Sequence, residues 1–159
     1  MSGHISPFAV APGDGPSMNT MINAPVTIKA HTRNTGGSLT ALEFVHAPHE
    51  GPPLHVHHRE DELWYVLDGD YRFKAGNSMF RLSTGGVAFV PRGTPHCFQN
   101  LGDTPGRMLI VYTPSGMERF FEQYASLLPG PVDPQKVTAV AEANWMELLG
   151  PPLAESDPI

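Results

Sequence analysis

The sequence predicts an all-β fold, and three observations support that prediction. The chain of 159 residues contains 16 glycines and 17 prolines, as expected for many short elements joined by turns. Hydrophobic residues make up 40% of the chain and charged residues only 16%, so a sizeable core can be buried. From Val26 onward, short apolar or alternating runs recur between turn residues, which is typical of a β-sandwich or barrel. At this length we expect a single domain.

The elements are predicted in chain order as an arm, a barrel and an extension. Residues 1–24 carry three prolines and three glycines without apolar periodicity, so we expect an irregular N-terminal arm. Residues 25–115 are predicted to form the barrel, and residues 116–159 a helical extension. The predicted barrel strands include the runs VTIKAH, SLTALEFV, ELWYVL, DYRFKA, SMFRL, VAFV, HCFQN and RMLIVYT.

The strongest turn signal lies between the third and fourth of these runs. Asp68 and Gly69 separate two alternating segments, and Asp-Gly is a preferred sequence of the type I′ turn. We therefore expect a hairpin in which residues 63–67 pair with residues 70–74.

The segment after the last predicted strand changes from a period of 2 to a period of 3.6, which predicts a helix. Ser115 and Glu118 have the spacing of a capping box at its start. Asp133 and Pro134 supply an N-cap and an N1 residue for a second helix that reaches to about Ala143. One face of the first helix is apolar and should pack against the barrel: Met117, Phe120, Phe121, Tyr124, Leu127 and Leu128.

A candidate metal site is the main chemical signal in the sequence. His55 and His57 alternate along a predicted strand, so both side chains point to the same face. Glu62 follows a short polar turn at the head of the next strand and can reach the same point. His96 begins a later strand after a Pro/Gly turn and can complete a set of four ligands.

The donor types in this set restrict the ion. Imidazole and carboxylate without thiolate favour one divalent transition metal, with Fe, Mn, Ni or Co expected and Zn or Cu as alternatives. Four protein ligands in an octahedron leave two adjacent positions open. A substrate oxygen and O2 could meet there.

These residues resemble the two motifs of the cupin superfamily. His55, His57, Glu62 and Gly69 fit the first motif, and the second is matched by Gly85, Pro91, Gly93, His96 and Asn100. One departure is His49, which stands where the first motif has a glycine. Four segments resemble those of small single-domain monocupins related to quercetin 2,3-dioxygenase: HHREDELWYVLDG, VPRGTPHCFQN, the helix start TPSGMERFFE and the closing LLGPPL.

The resemblance implies a fold, a metal site and an assembly. The fold is the jelly-roll barrel, or double-stranded β-helix, with the C-terminal helices packed outside. The metal ligands it implies are His55, His57, Glu62 and His96, and the assembly it implies is a homodimer.

Three functions are compatible with this resemblance. The first is a metal-dependent dioxygenase acting on a small aromatic or enolisable hydroxy-ketone substrate, with Glu62 as the general base. The second is a non-redox, metal-assisted isomerase, cyclase or lyase that stabilises an enolate. The third is a non-catalytic cupin that binds a small ligand. An apolar cavity is expected in each case, since alternation places Trp64, Val66 and Phe98 on the side of the ligands, with Tyr71 and Phe73 possible neighbours.

Other polar residues receive no chemical role at this stage. A solvated turn is expected for His58, Arg59, Glu60 and Asp61. Surface or hydrogen-bonded positions are expected for His4, His31, His46 and His49, and exposed positions for Arg72, Arg81 and Arg107. Cys97 should be a buried, inert thiol that faces away from the metal ligands.

Charge and hydropathy argue against several classes of partner. The net charge is −6 and the 10 lysines and arginines are scattered, so nucleic acid is not expected as a partner. No apolar run is long enough for a membrane span, and the first twenty residues lack the features of a signal peptide. A single cysteine excludes an internal disulfide. We expect a soluble, cytoplasmic protein.

Overall fold

The computed structural model describes residues 5–20 and 24–159, so the expectations for His4 and for part of the N-terminal arm lie outside the described residues. The strands are β1 (Ser17–Asn19), β2 (Pro25–Ala30), β3 (Thr40–His46), β4 (Pro53–His57), β5 (Asp61–Asp68), β6 (Asp70–Ala75), β7 (Ser78–Ser83), β8 (Val87–Val90), β9 (His96–Asn100), β10 (Gly106–Thr113) and β11 (Met146–Pro152). The helices are α1 (Thr32–Thr35), α2 (Glu118–Ala125), α3 (Pro134–Ala143) and α4 (Leu153–Ser156). None of these described helices has the length and apolar character to cross a membrane.

The strands form two antiparallel sheets, as an all-β jelly roll requires. One sheet has six strands in the order β1-β2-β3-β10-β5-β8, and the other has five in the order β11-β4-β9-β6-β7. Inward residues alternate with outward ones along most strands, and β3 buries every second residue from Thr40 to His46. The core lies between the sheets, where Trp64 of β5 stacks on Phe73 of β6 with ring centroids 4.8 Å apart.

The predicted hairpin at Asp68 and Gly69 is wrong. β5 pairs with β10 and β8, whereas β6 pairs with β7 and β9, so the two strands lie in different sheets. Gly69 has a φ of +112°, a conformation that favours glycine, and the chain crosses there from one sheet to the other. The crossing lets the apolar sides of both strands face the same core, and this burial outweighs the local preference for a tight turn.

The first C-terminal helix forms, but its predicted capping box is wrong. The helix begins at Glu118, and its N-cap residue, Met117, makes no side-chain hydrogen bond to it. Glu118 is fully buried, and its carboxylate accepts hydrogen bonds from the backbone N–H groups of Thr32 and Gly116 and from the Thr40 hydroxyl. A buried carboxylate needs several donors, and the neighbouring elements supply them.

The remainder of the extension is only partly helical. The N-cap of α3 is confirmed, since the Asp133 carboxylate accepts a hydrogen bond of 2.9 Å from the N–H of Gln135. The chain then returns to the five-stranded sheet as β11, which pairs with β4. The sheets therefore include residues on both sides of the predicted barrel segment 25–115, because β1 also lies outside it.

The solvent-exposed position predicted for Arg72 is wrong. Only 8% of this residue is exposed, and its guanidinium donates to the Gln99 side chain and to the backbone carbonyls of Leu153 and Asp157. The C-terminal segment covers this side of the sheet, which the sequence pattern of β6 alone does not reveal. Arg81 and Arg107 are exposed as expected, with 67% and 49% of their side chains accessible.

Candidate metal centre

The four predicted ligands meet inside the fold, and both sheets contribute to the cluster. His55 and His57 come from β4 and His96 from the adjacent strand β9, where His96 lies directly opposite His55. Glu62 comes from β5 in the facing sheet. All four residues are buried, with at most 8% of each exposed. One donor atom from each residue lies within 4.8 Å of the others, so a single ion can contact all four side chains.

The side chains face one another at short range. Nε2 of His57 lies 3.5 Å from Oε2 of Glu62, and Nε2 of His96 contacts the same carboxylate oxygen. The ring centroids of His55 and His96 are 4.4 Å apart. Two donors that each lie ~2.0–2.2 Å from one ion are at most ~4.4 Å apart, so the 3.5 Å between His57 and Glu62 fits a shared ion.

Backbone carbonyls fix the orientation of two of the imidazoles. His55 donates from Nδ1 to the carbonyl of Pro53 at 2.7 Å, and His96 donates from Nδ1 to the carbonyl of Thr94 at 2.8 Å. Because Nδ1 carries the proton in both rings, Nε2 is left as a lone-pair donor toward the centre of the cluster. Each carbonyl lies two residues before its histidine, so the local chain path sets the tautomer.

The polar atoms of the cluster fit a bound cation. Both ring nitrogens of His57, Nε2 of His96 and Oε2 of Glu62 are buried without a hydrogen-bond partner among the described residues. Leaving several such atoms unsatisfied is costly, since each one loses water and gains no donor or acceptor in return. Three neutral imidazoles and one carboxylate are a donor set typical of divalent transition metals. The residues present therefore fit such an ion.

Electrostatics hold two of the imidazoles and the carboxylate in the protonation state that a ligand set needs, whereas His96 is shifted toward its protonated form. Burial lowers the pKa of His55 well below its usual value and that of His57 to about 4, so both rings are neutral at pH 7. Burial alone would raise the pKa of Glu62, but the nearby His96 and His57 outweigh it and lower that pKa overall. Burial alone would lower the pKa of His96, and the Glu62 carboxylate raises it instead.

A mostly apolar cavity opens beside the cluster. The space open to the centres of water molecules is about 50 Å³, and the whole void including its mouth is about 530 Å³. His55, His57 and Glu62 form part of its wall. The other lining residues are Thr20, Phe44, His46, Pro52, Phe98, Ile110, Tyr112, Phe120, Phe121 and Met146. Since none of the described lysines or arginines lines it, the cavity suits a small, uncharged and largely apolar molecule better than a phosphate ester.

Of the residues expected beside the cavity, Phe98 lines it, whereas Trp64, Val66, Tyr71 and Phe73 belong to the packed core. The lining residues that the sequence analysis did not expect include His46 and Tyr112, although the strand pattern contained the signal for both. His46 was grouped with lone surface or hydrogen-bonded histidines, but it follows Leu42 and Phe44 on the inward phase of β3 and is 1% exposed. Tyr112 lies directly opposite Glu62 on the neighbouring strand β10, and its ring centroid is 5.6 Å from that of His57. Both residues follow from extending the alternation to the polar ends of the strands.

The polar turn before Glu62 is only partly solvated, so the prediction for Glu60 is wrong. This residue is 2% exposed, and burial raises the pKa of its carboxyl to about 7 despite the adjacent Arg59. Asp61 pairs with Arg92 at 3.0 Å, and His58 pairs with Glu147 at 3.0 Å at the surface. Sequence alone does not show which side chain of a short connection turns inward.

Two further sequence expectations concern His49 and Cys97. His49 has a φ of +64°, so it adopts the left-handed conformation of the glycine that the first motif has at this position. Its ring is half-exposed, contacts Asp103 at 3.1 Å and takes no part in the metal cluster. Cys97 is buried as predicted, and burial raises the pKa of its thiol to about 11.

Comparisons with known proteins agree with this architecture. Residues 42–112 match a family model described as the Cupin domain. The chain is 30% identical over 80 residues to the tetracenomycin polyketide synthase protein TcmJ of Streptomyces glaucescens, covering 50% of this chain and 52% of that protein. It is also 30% identical over 90 residues to quercetin 2,3-dioxygenase of Bacillus subtilis, covering 57% of this chain and 26% of that protein. The chain thus spans about half of the length of these relatives, or less.

Two solved cupin-like structures have a similar fold. The structure of KdgF from Halomonas sp. superposes with a TM-score of 0.62 at 20% identity, covering 71% of this chain and 97% of that one. An RmlC-like cupin from Shewanella frigidimarina superposes with a TM-score of 0.61 at 16% identity. At these identities the likeness concerns the fold alone.

Proposed function

Since this chain belongs to the cupin superfamily, we propose that it is a metal-dependent dioxygenase acting on a small aromatic or enolisable hydroxy-ketone substrate. The observation that carries the proposal is the buried cluster of three histidines and one glutamate at the wall of an apolar cavity. The resemblance to quercetin 2,3-dioxygenase over 57% of the chain supports an oxygenase, without fixing the substrate.

In this proposal His55, His57, Glu62 and His96 hold one divalent transition metal, with Fe, Mn, Ni or Co expected and Zn or Cu as alternatives. When bound, such an ion supplies Lewis acidity and a common binding position for a substrate oxygen and O2. The carbonyls of Pro53 and Thr94 hold two of the imidazoles in the tautomer that this role requires.

The cavity walls select the substrate and exclude water. Phe44, Ile110, Phe120 and Phe121 offer flat apolar contacts, so an aromatic or conjugated molecule gains burial there. The small volume favours a compact substrate, and a larger flavonol needs the mouth to widen. A drier site strengthens the electrostatic contacts of the substrate with the cluster.

Proton transfer in this proposal involves Glu62 and Tyr112. The Glu62 carboxylate is ionised at neutral pH, and its lowered pKa makes it a weak base. In this proposal it would loosen from a bound ion and accept the proton of a substrate hydroxyl that the ion has made more acidic. Burial and the Glu62 carboxylate raise the pKa of Tyr112 well above its usual value, which keeps the phenol protonated. A proton acceptor and a proton donor therefore face the cavity together.

The paired acceptor and donor favour one alternative, in which no O2 takes part. An isomerase, cyclase or lyase needs a base to remove a proton beside a carbonyl and an acid to return it. Glu62 and Tyr112 occupy directly opposed positions on β5 and β10, which suits that exchange. Oxygen consumption separates the two reactions.

The test combines oxygen uptake with a variant of Glu62. The protein is loaded separately with Fe, Mn, Co and Ni and offered a panel of flavonols, diketones and aromatic polyols. Substrate-dependent oxygen uptake is expected from the wild type and from Asp61→Asn, a neighbouring, partly exposed carboxylate that pairs with Arg92 outside the cluster. Glu62→Gln should keep most of the metal and lose uptake, because its amide cannot accept the proton.

Each other outcome contradicts a stated part of the proposal. Substrate conversion without oxygen uptake supports the isomerase, cyclase or lyase. Metal and ligand binding without any conversion support a non-catalytic binding cupin. Full turnover by Glu62→Gln removes the role of this residue as base.

We also propose that the chain forms a homodimer, as the family resemblance implies. An exposed apolar surface on β5 and β8 supports this assembly, since Leu63 lies opposite Phe89 and Tyr65 opposite Val87. Strand β8 is at the edge of its sheet. Light scattering of the wild type and of Phe89→Lys tests it, and a monomeric wild type would contradict it.

A further inference from the structure

Two polar residues of the cavity wall, Thr20 and His46, take part in neither the metal cluster nor the proposed proton transfer, and the Thr20 hydroxyl already accepts a hydrogen bond from the N–H of Ala24. His46, the last residue of β3, lines the same cavity as the cluster and is 1% exposed. Its ring stacks on Phe44 and packs edge-on against Phe98, with ring centroids 5.7 Å and 5.0 Å away. An imidazole held so firmly by aromatic rings has a fixed direction for each of its nitrogens.

One nitrogen of this ring is already occupied. Nδ1 of His46 lies 3.0 Å from the hydroxyl of Tyr71, which comes from β6 in the facing sheet. Tyr71 is fully buried, and Gly106 makes room for its hydroxyl, since a Cβ at Gly106 would lie 2.4 Å from that oxygen. The contact therefore joins the two sheets at one end of the core.

The direction of this hydrogen bond follows from the surroundings of Tyr71. Among the described residues its hydroxyl has no acceptor other than His46, so the buried O–H donates to Nδ1. Burial lowers the pKa of His46 to about 3, so the ring is neutral and carries one proton. With Nδ1 accepting, that proton is on Nε2.

We propose that His46 is a specificity-determining residue, whose Nε2–H donates a hydrogen bond to an acceptor oxygen of the substrate. No hydrogen bond to Nε2 is found among the described residues, so its N–H is available to a molecule in the cavity that His46 lines. The preferred substrate has a hydroxy-ketone or diol at one position and a second acceptor oxygen, such as a carbonyl, at another. The inference rests on the proposed function, which supplies the first of these two groups.

Two probes that differ by one acceptor test the inference. Catechol carries only the diol, whereas 4-nitrocatechol adds a nitro group whose oxygens accept hydrogen bonds. Binding is measured anaerobically with the metal-loaded protein, by absorbance for 4-nitrocatechol and by calorimetry for catechol. His46→Phe keeps the aromatic stacking on Phe44 and removes the donor, and His49→Phe is the matched control at an exposed histidine.

The expected result is selective. His46→Phe should weaken the binding of 4-nitrocatechol about tenfold, because one neutral hydrogen bond is lost, and that of catechol less than twofold. The metal content should not change. Tyr71→Phe should weaken 4-nitrocatechol by a smaller factor, because the proton of His46 can then move to Nδ1. This second variant keeps the test valid if His46→Phe folds poorly. His49→Phe should bind both probes as the wild type does.

Other results overturn the inference in distinguishable ways. The wild type could bind both probes while His46→Phe and Tyr71→Phe leave the ratio of the two affinities unchanged. In that case His46 does not bind the second acceptor oxygen, and the proposed function stands. If the wild type binds neither probe, both the proposed substrate class and the proposed role of His46 are wrong. Nitrogen-15 NMR of the zinc-loaded protein adds an independent readout, and a proton found on Nδ1 of His46 would overturn the inference in either case.

Discussion

Replacing His57 with alanine should remove the stabilisation that a bound metal gives to this fold. His57 is 3% exposed, and neither of its ring nitrogens has a hydrogen-bond partner among the described residues. A metal binds the folded cluster and not the dispersed side chains of the unfolded chain, so its binding energy adds to the free energy of unfolding. The variant lacks one of four donors and should lose most of that gain.

The size of the effect follows from mass action. At a free metal concentration of 100 times Kd, the wild type gains about 2.7 kcal/mol in its free energy of unfolding. If losing one ligand weakens binding about 100-fold, the gain at the same concentration falls to about 0.4 kcal/mol. For a chain of this size, the wild-type gain corresponds to a rise in Tm of roughly 5–11 °C.

The assay compares thermal unfolding with and without metal for three proteins. Each protein is compared with its own metal-free form, so the destabilisation caused by the cavity that the shortened side chain leaves cancels to first order. His58→Ala is the matched control, since this neighbouring histidine is half-exposed and pairs with Glu147 at the surface. It should keep the full metal-dependent rise in Tm.

Two results would refute the reasoning. A metal-dependent rise in His57→Ala equal to that of the wild type would mean that His57 is not a ligand. An equal loss in His58→Ala would mean that the metal binds to the surface and not in the buried cluster.

Three further predictions concern residues outside the cluster. Arg72→Ala should lower the free energy of unfolding by about 2–4 kcal/mol, because it leaves buried acceptors unpaired. Arg81→Ala removes an exposed ion pair and should lower it by less than ~1 kcal/mol. Urea unfolding measures both losses, and equal losses would contradict the role of Arg72. Cys97 should react with a disulfide reagent at pH 8 only as fast as the protein unfolds, and rapid labelling of the native protein would contradict its burial and the raised pKa of its thiol. The pKa of His46 is lower in the folded state than in the unfolded chain, so its contribution to stability should be complete above about pH 6.5 and lost progressively as the pH falls toward about 3. The free energy of unfolding of His46→Phe should therefore fall less steeply with decreasing pH than that of the wild type. Urea titrations at several pH values measure both slopes, and equal slopes would contradict this prediction.

The sequence was sufficient to predict the parts of the fold that depend on local alternation and on motif spacing. The strands appear where the apolar runs are, because period-2 burial is readable from single segments. The grouping of the four candidate ligands was also predictable, since the spacing of His55, His57 and Glu62 places them on adjacent segments and His96 has a motif of its own. The structure brings these four residues together as the sequence analysis expected.

The parts that could not be predicted depend on contacts between distant segments. Asp68 and Gly69 have the composition of a hairpin turn, yet the strands on either side belong to different sheets because each finds better partners elsewhere in the chain. Arg72 is buried only because the C-terminal segment folds over it. Glu118 does not form the capping box predicted with Ser115, because two earlier segments donate to its carboxylate.

The inward position of polar residues was the other source of error. Glu60 was expected to be solvated, because its residue type is usually found at the surface, and His46 was expected at the surface or in a hydrogen bond, of which it has the latter, to Tyr71. In the fold, both are buried, and only His46 lines the cavity. Alternation with Leu42 and Phe44 contained the signal for His46, whereas nothing in the turn sequence distinguishes Glu60 from its neighbours.

The metal content of the purified protein tests the central claim most directly. Protein prepared without chelator or added metal should contain close to one equivalent of a divalent transition metal per chain, and His57→Ala should contain much less under the same conditions. A wild type that holds no metal, even after incubation with Fe, Mn, Co, Ni, Zn or Cu and removal of the excess, would contradict the metal site and every function proposed from it.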